Sequence, residues 1–354
     1  MAVTRVLIMA GGTGGHVFPA LAIARELVSR GVTVRFLGAR GRMEEQLVPK
    51  AGFEISYIKV SGIRRNGLLP LLKAPFMVTR AVWEALGVIR EFKPDAVLGM
   101  GGYAAGPGGV AAFLKGLPLF LHEQNAAPGL TNRLLARLAS RVLLGFPGAF
   151  TGPKTRVVGN PLRREITDLL KVPREFSHHP LRILVTGGSL GAAALNERLP
   201  AAFKELPGQL ISVRHQCGRG NQSKVAALYE GASFEFEVSD FIEDMARAYL
   251  ECDLVICRAG AGSVCEVCCA GVPAIFVPLP TAVDDHQTKN AAYLTADHAA
   301  CLIAQRDLSA KALCELILSL EADRARLQEM SDKVRSHAVT DAALRCCDEI
   351  MGTV

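Results

Sequence analysis

The chain has 354 residues, half of them apolar, with 34 glycines, 6% aromatics and a formal net charge of +6. That length is long for one core and suits two domains, and so much glycine suits an α/β protein with many strand-to-helix turns. A disulfide scaffold is excluded, because none of the ten cysteines lies before Cys217, and thiols distributed this way fit a reducing cytoplasm.

Residues 5–10, RVLIMA, predict a first strand that runs into GGTGGHVFPA at 11–20. The apolar run is short and ends in glycines, so no secretory signal is expected before it. A glycine turn after a strand points to phosphate or a nucleotide. The dinucleotide pattern G-x-G-x-x-G starts at Gly12, Thr13 and Gly14, but Val17 stands where its last glycine belongs. The next strand, 32–37, leads into Gly38 and Arg40 and offers no carboxylate for a ribose. A Walker loop also fails, since no Gly-Lys-Ser/Thr follows. The plainer reading is that the glycines serve a tight turn.

A helix is expected over about 17–30, a buried strand over 95–99, and another strand in PLFLH, ending at His122. Residues 96–114 carry no charge and could span a bilayer by length. Their glycines and Pro107 read instead as strand, loop and short helix, so no membrane-crossing helix is expected. The Gly- and Pro-rich stretch 145–180 contains the expected linker. LRILVTGGSLGAAALN at 181–196 then repeats the opening pattern. Strands follow near 210–215, 234–237, 253–257 and 273–277, and the tail from about 309 is helical. The repetition predicts two doubly wound domains. Parallel sheets of this type bind ligands beyond the carboxyl ends of their strands. The glycine loops, HEQN at 122–125 and RAGAGS at 258–263 would therefore line one cleft.

Residues 1–160 hold 20 Lys and Arg against 8 Asp and Glu, whereas residues 161–354 hold 20 against 26. The basic first half is the one expected to face an anion. Residues 63–83, IRRNGLLPLLKAPFMVTRAVW, mix cations with apolar residues. Leu68, Leu69, Leu72, Lys73, Phe76, Arg80 and Trp83, the sole tryptophan, suit an anionic membrane surface. An ordinary amphipathic helix on a sheet would read the same way.

In the second half, RAGAGSVCEV opens a helix whose N–H groups and dipole could hold a diphosphate. Glu266, one turn inside, could accept from ribose hydroxyls. Ser263-x-x-Glu266 is equally a capping box. The C-x-x-C within CEVCC has no second pair to complete a zinc site, and no Asp-x-Asp appears, so no metal or other cofactor is expected.

The ordered blocks GGTGGHVFPALAIA, GMGGYAAGPGG, LHEQNAAPGLTNR, VVGNPLR, GGSLGAAALN, RAGAGSVCE and DDHQTKNA span residues 11–291 and closely resemble the MurG family. That resemblance implies a GT-B fold, two Rossmann-like domains facing across a cleft. Residues 1–162 would form an acceptor-binding, membrane-facing domain and 163–335 a UDP-sugar domain. A helix in 336–354 would return to the first. It implies inverting transfer of N-acetylglucosamine from UDP-N-acetylglucosamine to the 4-hydroxyl of undecaprenyl-diphosphate-linked muramyl pentapeptide, lipid I to lipid II, in peptidoglycan and cell-wall synthesis. The expected setting is peripheral, on the cytoplasmic face of the bacterial inner membrane, in a cell-wall synthesis complex and without nucleic acid. A UDP-N-acetylglucosamine 2-epimerase is the alternative, needing no acceptor.

By the same resemblance, Thr13, Gly14, Gly15, Asn125, Arg163, Ser189 and Gln287 contact the donor, and the Ile242 backbone reads the uracil. Ala261, Gly262, Ser263, Val264, Cys265 and Glu266 match the diphosphate and ribose segment. Gly102, Tyr103 and His122 lie on the acceptor side. The reaction needs a general base with a pKa near the operating pH, which favours histidine. His16 is the first candidate, Glu123 the second, and His122 an orienting neighbour. The plainer reading of His16 is a helix-start ring bonded to backbone.

Overall fold

The computed structural model describes residues 3–60, 68–188 and 191–353, with no side-chain description for 68–74. Its contacts divide the chain into two units, Met1–Arg163 with Asp341–Val354, and Arg164–Thr340.

The first unit contains β1 (Arg5–Met9), α1 (Gly14–Ser29), β2 (Thr33–Gly38), α2 (Met43–Lys50), β3 (Glu54–Tyr57) and α3 (Leu68–Phe92). It continues with β4 (Ala96–Gly99), α4 (Ala105–Leu114), β5 (Leu119–Glu123), α5 (Leu130–Leu135), β6 (Arg141–Leu144) and β7 (Thr155–Val157). The sheet order is β3-β2-β1-β4-β5-β6-β7, and its neighbours run parallel. Parallel strands need cover on both faces, so their residues are apolar on both. In β1, Val6 and Ile8 join one core with Ile23 and Leu27 of α1. Leu7 and Met9 join the opposite core with Val82, Ala85 and Ile89 of α3. Strand order reverses between β1 and β4, and that point brings their two glycine loops together.

The second unit holds α6 (Arg164–Thr167), β8 (Leu181–Thr186), α7 (Ala193–Lys204), β9 (Ile211–Gln216), α8 (Gln222–Tyr229), β10 (Phe236–Ser239) and α9 (Met245–Glu251). Then come β11 (Leu254–Cys257), α10 (Ala261–Ala270), β12 (Ala274–Phe276), α11 (His286–Thr295), β13 (Cys301–Leu302), α12 (Ala310–Ala322) and α13 (Arg324–Ser336). Its parallel sheet has the order β10-β9-β8-β11-β12-β13. The last helix, α14 (Ala342–Gly352), belongs to the first unit. There Cys346, Cys347 and Ile350 share the core of α1, and Arg30 Nη1 donates to Asp348 at 2.6 Å.

One device recurs in both sheets. Asp95, just before β4, accepts from Thr4 N at 2.7 Å, Thr4 Oγ1 at 2.8 Å and Arg5 N at 2.9 Å. Asp253, just before β11, accepts from Arg182 N and Nε, each at 2.9 Å, and from Nη2 at 2.6 Å. Each carboxylate ties the start of a central strand to its neighbour across the order reversal. Burial acts to raise the Asp95 carboxyl, but its three donors outweigh burial and hold it below the usual range. A depressed carboxylate stabilises the fold above its unfolded pKa, and that contribution disappears as pH falls through the folded value. Asp95→Asn is therefore expected to cost roughly 1 kcal/mol at pH 7 after solvent screening, with the deficit shrinking below about pH 4. Urea denaturation at both pH values checks this; equal deficits would remove the charge from the explanation.

Candidate active site

The first glycine loop turns at Gly12, whose φ of 92° is left-handed. Thr13 is extended and caps α1, and His16 lies in the first turn. His16 Nδ1 is 3.0 Å from Gly11 O. A carbonyl can only accept, so Nδ1 carries the proton and Nε2 carries the lone pair. The backbone bond of the plainer reading is thus present, and it selects the tautomer that a base requires.

Glu44 and the loop after β4 build the surroundings of this loop. Glu44 is buried; its Oε2 accepts from Gly12 N at 3.0 Å and its Oε1 from Ala39 N at 3.1 Å. A Cβ on Gly11 would lie 2.5 Å from Glu44 Oε1, and one on Gly38 2.8 Å from Glu44 Cγ. After β4, Gly101 and Gly102 have φ of 95° and 84°. A Cβ on Gly101 would come 3.0 Å from His16 Nε2, and one on Gly102 2.3 Å from Gly11 O. Tyr103 is exposed, with the Arg42 guanidinium 5.3 Å from its ring centre.

HEQN behaves differently from the expectation that Glu123 can act as base. Glu123 is buried. Its Oε1 accepts from Asn125 N at 3.1 Å and Asn125 Nδ2 at 3.3 Å, and its Oε2 from Gly129 N at 3.1 Å and Asn132 Nδ2 at 2.9 Å. A carboxylate holding four donors clasps the loop that follows β5 and is poorly placed to take a substrate proton. His122 is fully buried. Its Nε2–H donates to Gly159 O at 3.0 Å, and burial pushes its pKa down to about 4, so it is neutral. Arg163 belongs to this unit, and its guanidinium lies 5.7 Å from the ring centre of Phe18, two residues beyond His16.

In the second unit, α10 starts at Ala261 with Gly260 as its N-cap. Ser263 therefore sits inside the first turn, and the capping-box reading of Ser263 and Glu266 is corrected: the glycine starts the helix earlier. Glu266 Oε2 instead accepts from Tyr249 Oη at 3.1 Å. Burial, then the Glu266 charge, raises the Tyr249 pKa well above the ordinary value, so the phenol stays a donor. Around Gly262 a Cβ would meet nothing within 4 Å. The buried Asn290 donates from Nδ2 to Ala259 O at 3.1 Å, bracing the loop before the helix. Gln287 Oε1 accepts from Leu279 N at 2.9 Å. Ile242 is buried. Ala261 and Val264 are buried, while Cys265 is partly exposed.

Gln216 braces the second glycine loop. It accepts from Gly187 N at 3.2 Å and donates to Gly188 O at 3.0 Å. Ser189 lies outside the described residues, as do the side chains of Leu68, Leu69, Leu72 and Lys73. On α3, Ala81, Val82, Ala85, Ile89 and Phe92 are buried, whereas Phe76 and Trp83 are 74% and 64% exposed. Arg80 shares their face by helical spacing and pairs with Glu84 at 3.0 Å. No described helix is long and apolar enough to cross a membrane.

Sequence reasoning missed Glu44, Tyr249, Asn132, Gln216 and Asn290. Each is a polar side chain turned inward onto a loop distant in the chain or on a neighbouring element, and periodicity carries no signal for that.

Residues 6–144 match the glycosyltransferase family 28 N-terminal domain, and 182–346 match the C-terminal domain of that family. Over 345 residues the chain is 53% identical to the UDP-N-acetylglucosamine--N-acetylmuramyl-(pentapeptide) pyrophosphoryl-undecaprenol N-acetylglucosamine transferase of Aeromonas hydrophila, covering 97% of this chain and 95% of that one. The crystal structure of Acinetobacter baumannii MurG is 43% identical with a TM-score of 0.84, covering 99% of both chains. The UDP-GlcNAc 2-epimerase from Neisseria meningitidis has a TM-score of 0.70 at 14% identity, covering 99% of this chain and 100% of that one, and shares the fold alone. The two Rossmann-like units are those of the GT-B class.

Gly102→Ala places a Cβ against the Gly11 carbonyl in left-handed backbone. It is expected to cost roughly 1–3 kcal/mol, read as a lowered thermal midpoint. Gly15→Ala, whose Cβ would meet its nearest neighbour at 3.7 Å, serves as the control and should melt like the parent. Matching midpoints for both variants would contradict the close packing at Gly102.

Proposed function

The chain belongs to the MurG family of glycosyltransferases, and from that premise we propose that it moves N-acetylglucosamine from UDP-N-acetylglucosamine to the 4-hydroxyl of the undecaprenyl-diphosphate-linked muramyl pentapeptide. The observation that carries this reading is the near-full-length identity to a transferase so named. The 2-epimerase reading has only shared fold behind it.

The acceptor oxygen attacks the anomeric carbon and its proton passes to Nε2 of His16. The bond from that carbon to the diphosphate oxygen breaks, and the electron pair leaves with UDP, giving inversion. The support for His16 is its tautomer: Nδ1–H is committed to Gly11 O. Glu123 becomes the residue that shapes the loop carrying Asn125. The neutral His122 donates to Gly159 O and acts as a structural neighbour.

Donor binding is assigned mainly to the second unit. The first-turn N–H groups of α10 and the helix dipole suit the diphosphate. Glu266, steered by Tyr249, suits the ribose hydroxyls, and the backbone at Ile242 the uracil. Gln287 and Asn125 suit the sugar, and Thr13, Gly14 and Gly15 a position near it. Arg163 suits developing phosphate charge. Ser189 remains a donor contact by resemblance.

Peripheral attachment to the cytoplasmic face of the inner membrane fits a lipid-linked acceptor, as does a place in a cell-wall synthesis complex serving cell shape and division. The exposed Phe76 and Trp83 beside Arg80 support the membrane part of this reading.

Labelled N-acetylglucosamine should move only when lipid acceptor is present. Label left on UDP with an epimerised sugar would reject transfer. His16→Ala should lower turnover about 10²- to 10⁴-fold, while Glu266→Ala should weaken UDP binding about 10- to 100-fold in calorimetry. Normal turnover in the first variant rejects the base, and unchanged affinity in the second rejects the ribose contact. Vesicle flotation should capture the parent on anionic lipid and lose most of a Phe76→Ser/Trp83→Ser variant; equal flotation of both would move the membrane contact elsewhere.

A further inference from the structure

We propose that Glu44 is a positioning residue for His16, acting through the peptide unit that joins Gly11 to Gly12. The N–H and the C=O involved belong to one amide. Its N–H donates to Glu44 Oε2 at 3.0 Å, and its C=O accepts from His16 Nδ1 at 3.0 Å. Carboxylate, amide and imidazole thus form one hydrogen-bonded chain. This inference rests on the reading of His16 as the base.

A carboxylate on the N–H side polarises an amide and makes its oxygen a stronger acceptor. That oxygen fixes the imidazole ring and favours the imidazolium formed when Nε2 takes the acceptor proton. No proton crosses the amide: Glu44 remains a carboxylate, and His16 later releases the proton to solvent. The arrangement performs the task of a carboxylate bonded directly to a catalytic imidazole, with a peptide interposed.

The surroundings fit this role and not merely a surface cap. Glu44 is 1% exposed. Its remaining oxygen is engaged by Ala39 N. Side chains at Gly11 and Gly38 would displace it, and one at Gly102 would displace the relaying carbonyl. Charged or titratable groups near this loop include His122, which feels the His16 charge, Arg163 over Phe18, and Arg42 over Tyr103. Burial leaves His122 neutral at neutral pH.

The test compares full-length parent, Glu44→Gln, Glu44→Asp, His16→Ala and the His16→Ala/Glu44→Gln double variant in acceptor-dependent transfer across pH. Gln can accept only one of the two N–H bonds and carries no charge. For Glu44→Gln, kcat should fall about 10- to 100-fold with KM for UDP-N-acetylglucosamine within about twofold. The acid limb of its kcat profile should move to lower pH by about 0.5–1 unit. Glu44→Asp should move the limb in the same direction by less. The double variant should match His16→Ala within about twofold, because a residue acting through His16 has nothing left to act on. An unmoved acid limb, or losses that multiply, overturns the relay while leaving His16 as base. Normal turnover in His16→Ala overturns both. If Glu44→Gln fails to fold, the Glu44→Asp profile decides alone, and an unmoved limb there is equally fatal.

Discussion

The amide between Gly11 and Gly12 is held from three directions, where the first unit's two glycine loops meet. Glu44 takes its N–H, His16 takes its carbonyl, and Gly102 packs so closely that a methyl group would collide with the oxygen. These contacts require glycine at several positions for different reasons: left-handed backbone at Gly12, space for a carboxylate at Gly11 and Gly38, and close approach of two loops at Gly102. They also require the two loops to emerge side by side. The order reversal between β1 and β4 provides that, and the alternating core residues of β1 fix its register.

The second unit repeats the architecture but changes the chemistry of the brace. Its glycine loop is held by Gln216, and the loop before α10 by Asn290. Behind them, His215 Nε2 donates to Asn196 Oδ1, and the Asn196 amide donates to Cys217 O. Burial pushes the His215 pKa down to about 4, so this network is uncharged at neutral pH. An amide brace supplies hydrogen bonds without negative charge, whereas a carboxylate repels an anion at short range. Neutral braces suit loops proposed to receive a nucleoside diphosphate, and a buried carboxylate suits a loop proposed to steady a transient imidazolium.

Much of the fold was legible from apolar runs that end in glycine. Parallel strands buried on both faces leave that signature, so β1, β4, β8 and β11 stood out. The edge strands β3 and β7 did not: EISY and TRV are half exposed, and exposed edges need little hydrophobicity. Among the candidate site residues, His16, Asn125 and Glu266 stand out in the sequence because they occupy ordered motifs. The role of Glu123 does not, because its four donors, three from the loop after β5 and one from Asn132 of α5, converge only after folding. Glu44 was also hidden. In GRMEEQL it reads as one of two ordinary surface acids, yet Glu45 stays near solvent and Glu44 turns inward. The carboxylate that follows β2, Glu44, binds backbone and not a ribose.

The position of α14 has a consequence for synthesis. Cys346, Cys347 and Ile350 fill the core beneath α1, while residues 164–340 form their own unit between the two parts of the first. On the ribosome, the first 163 residues emerge early but wait for the final stretch before that face is covered. The middle unit has its whole core translated sooner. The later unit in sequence can therefore finish folding first, and the earlier one must survive as a partly uncovered sheet until the last helix arrives.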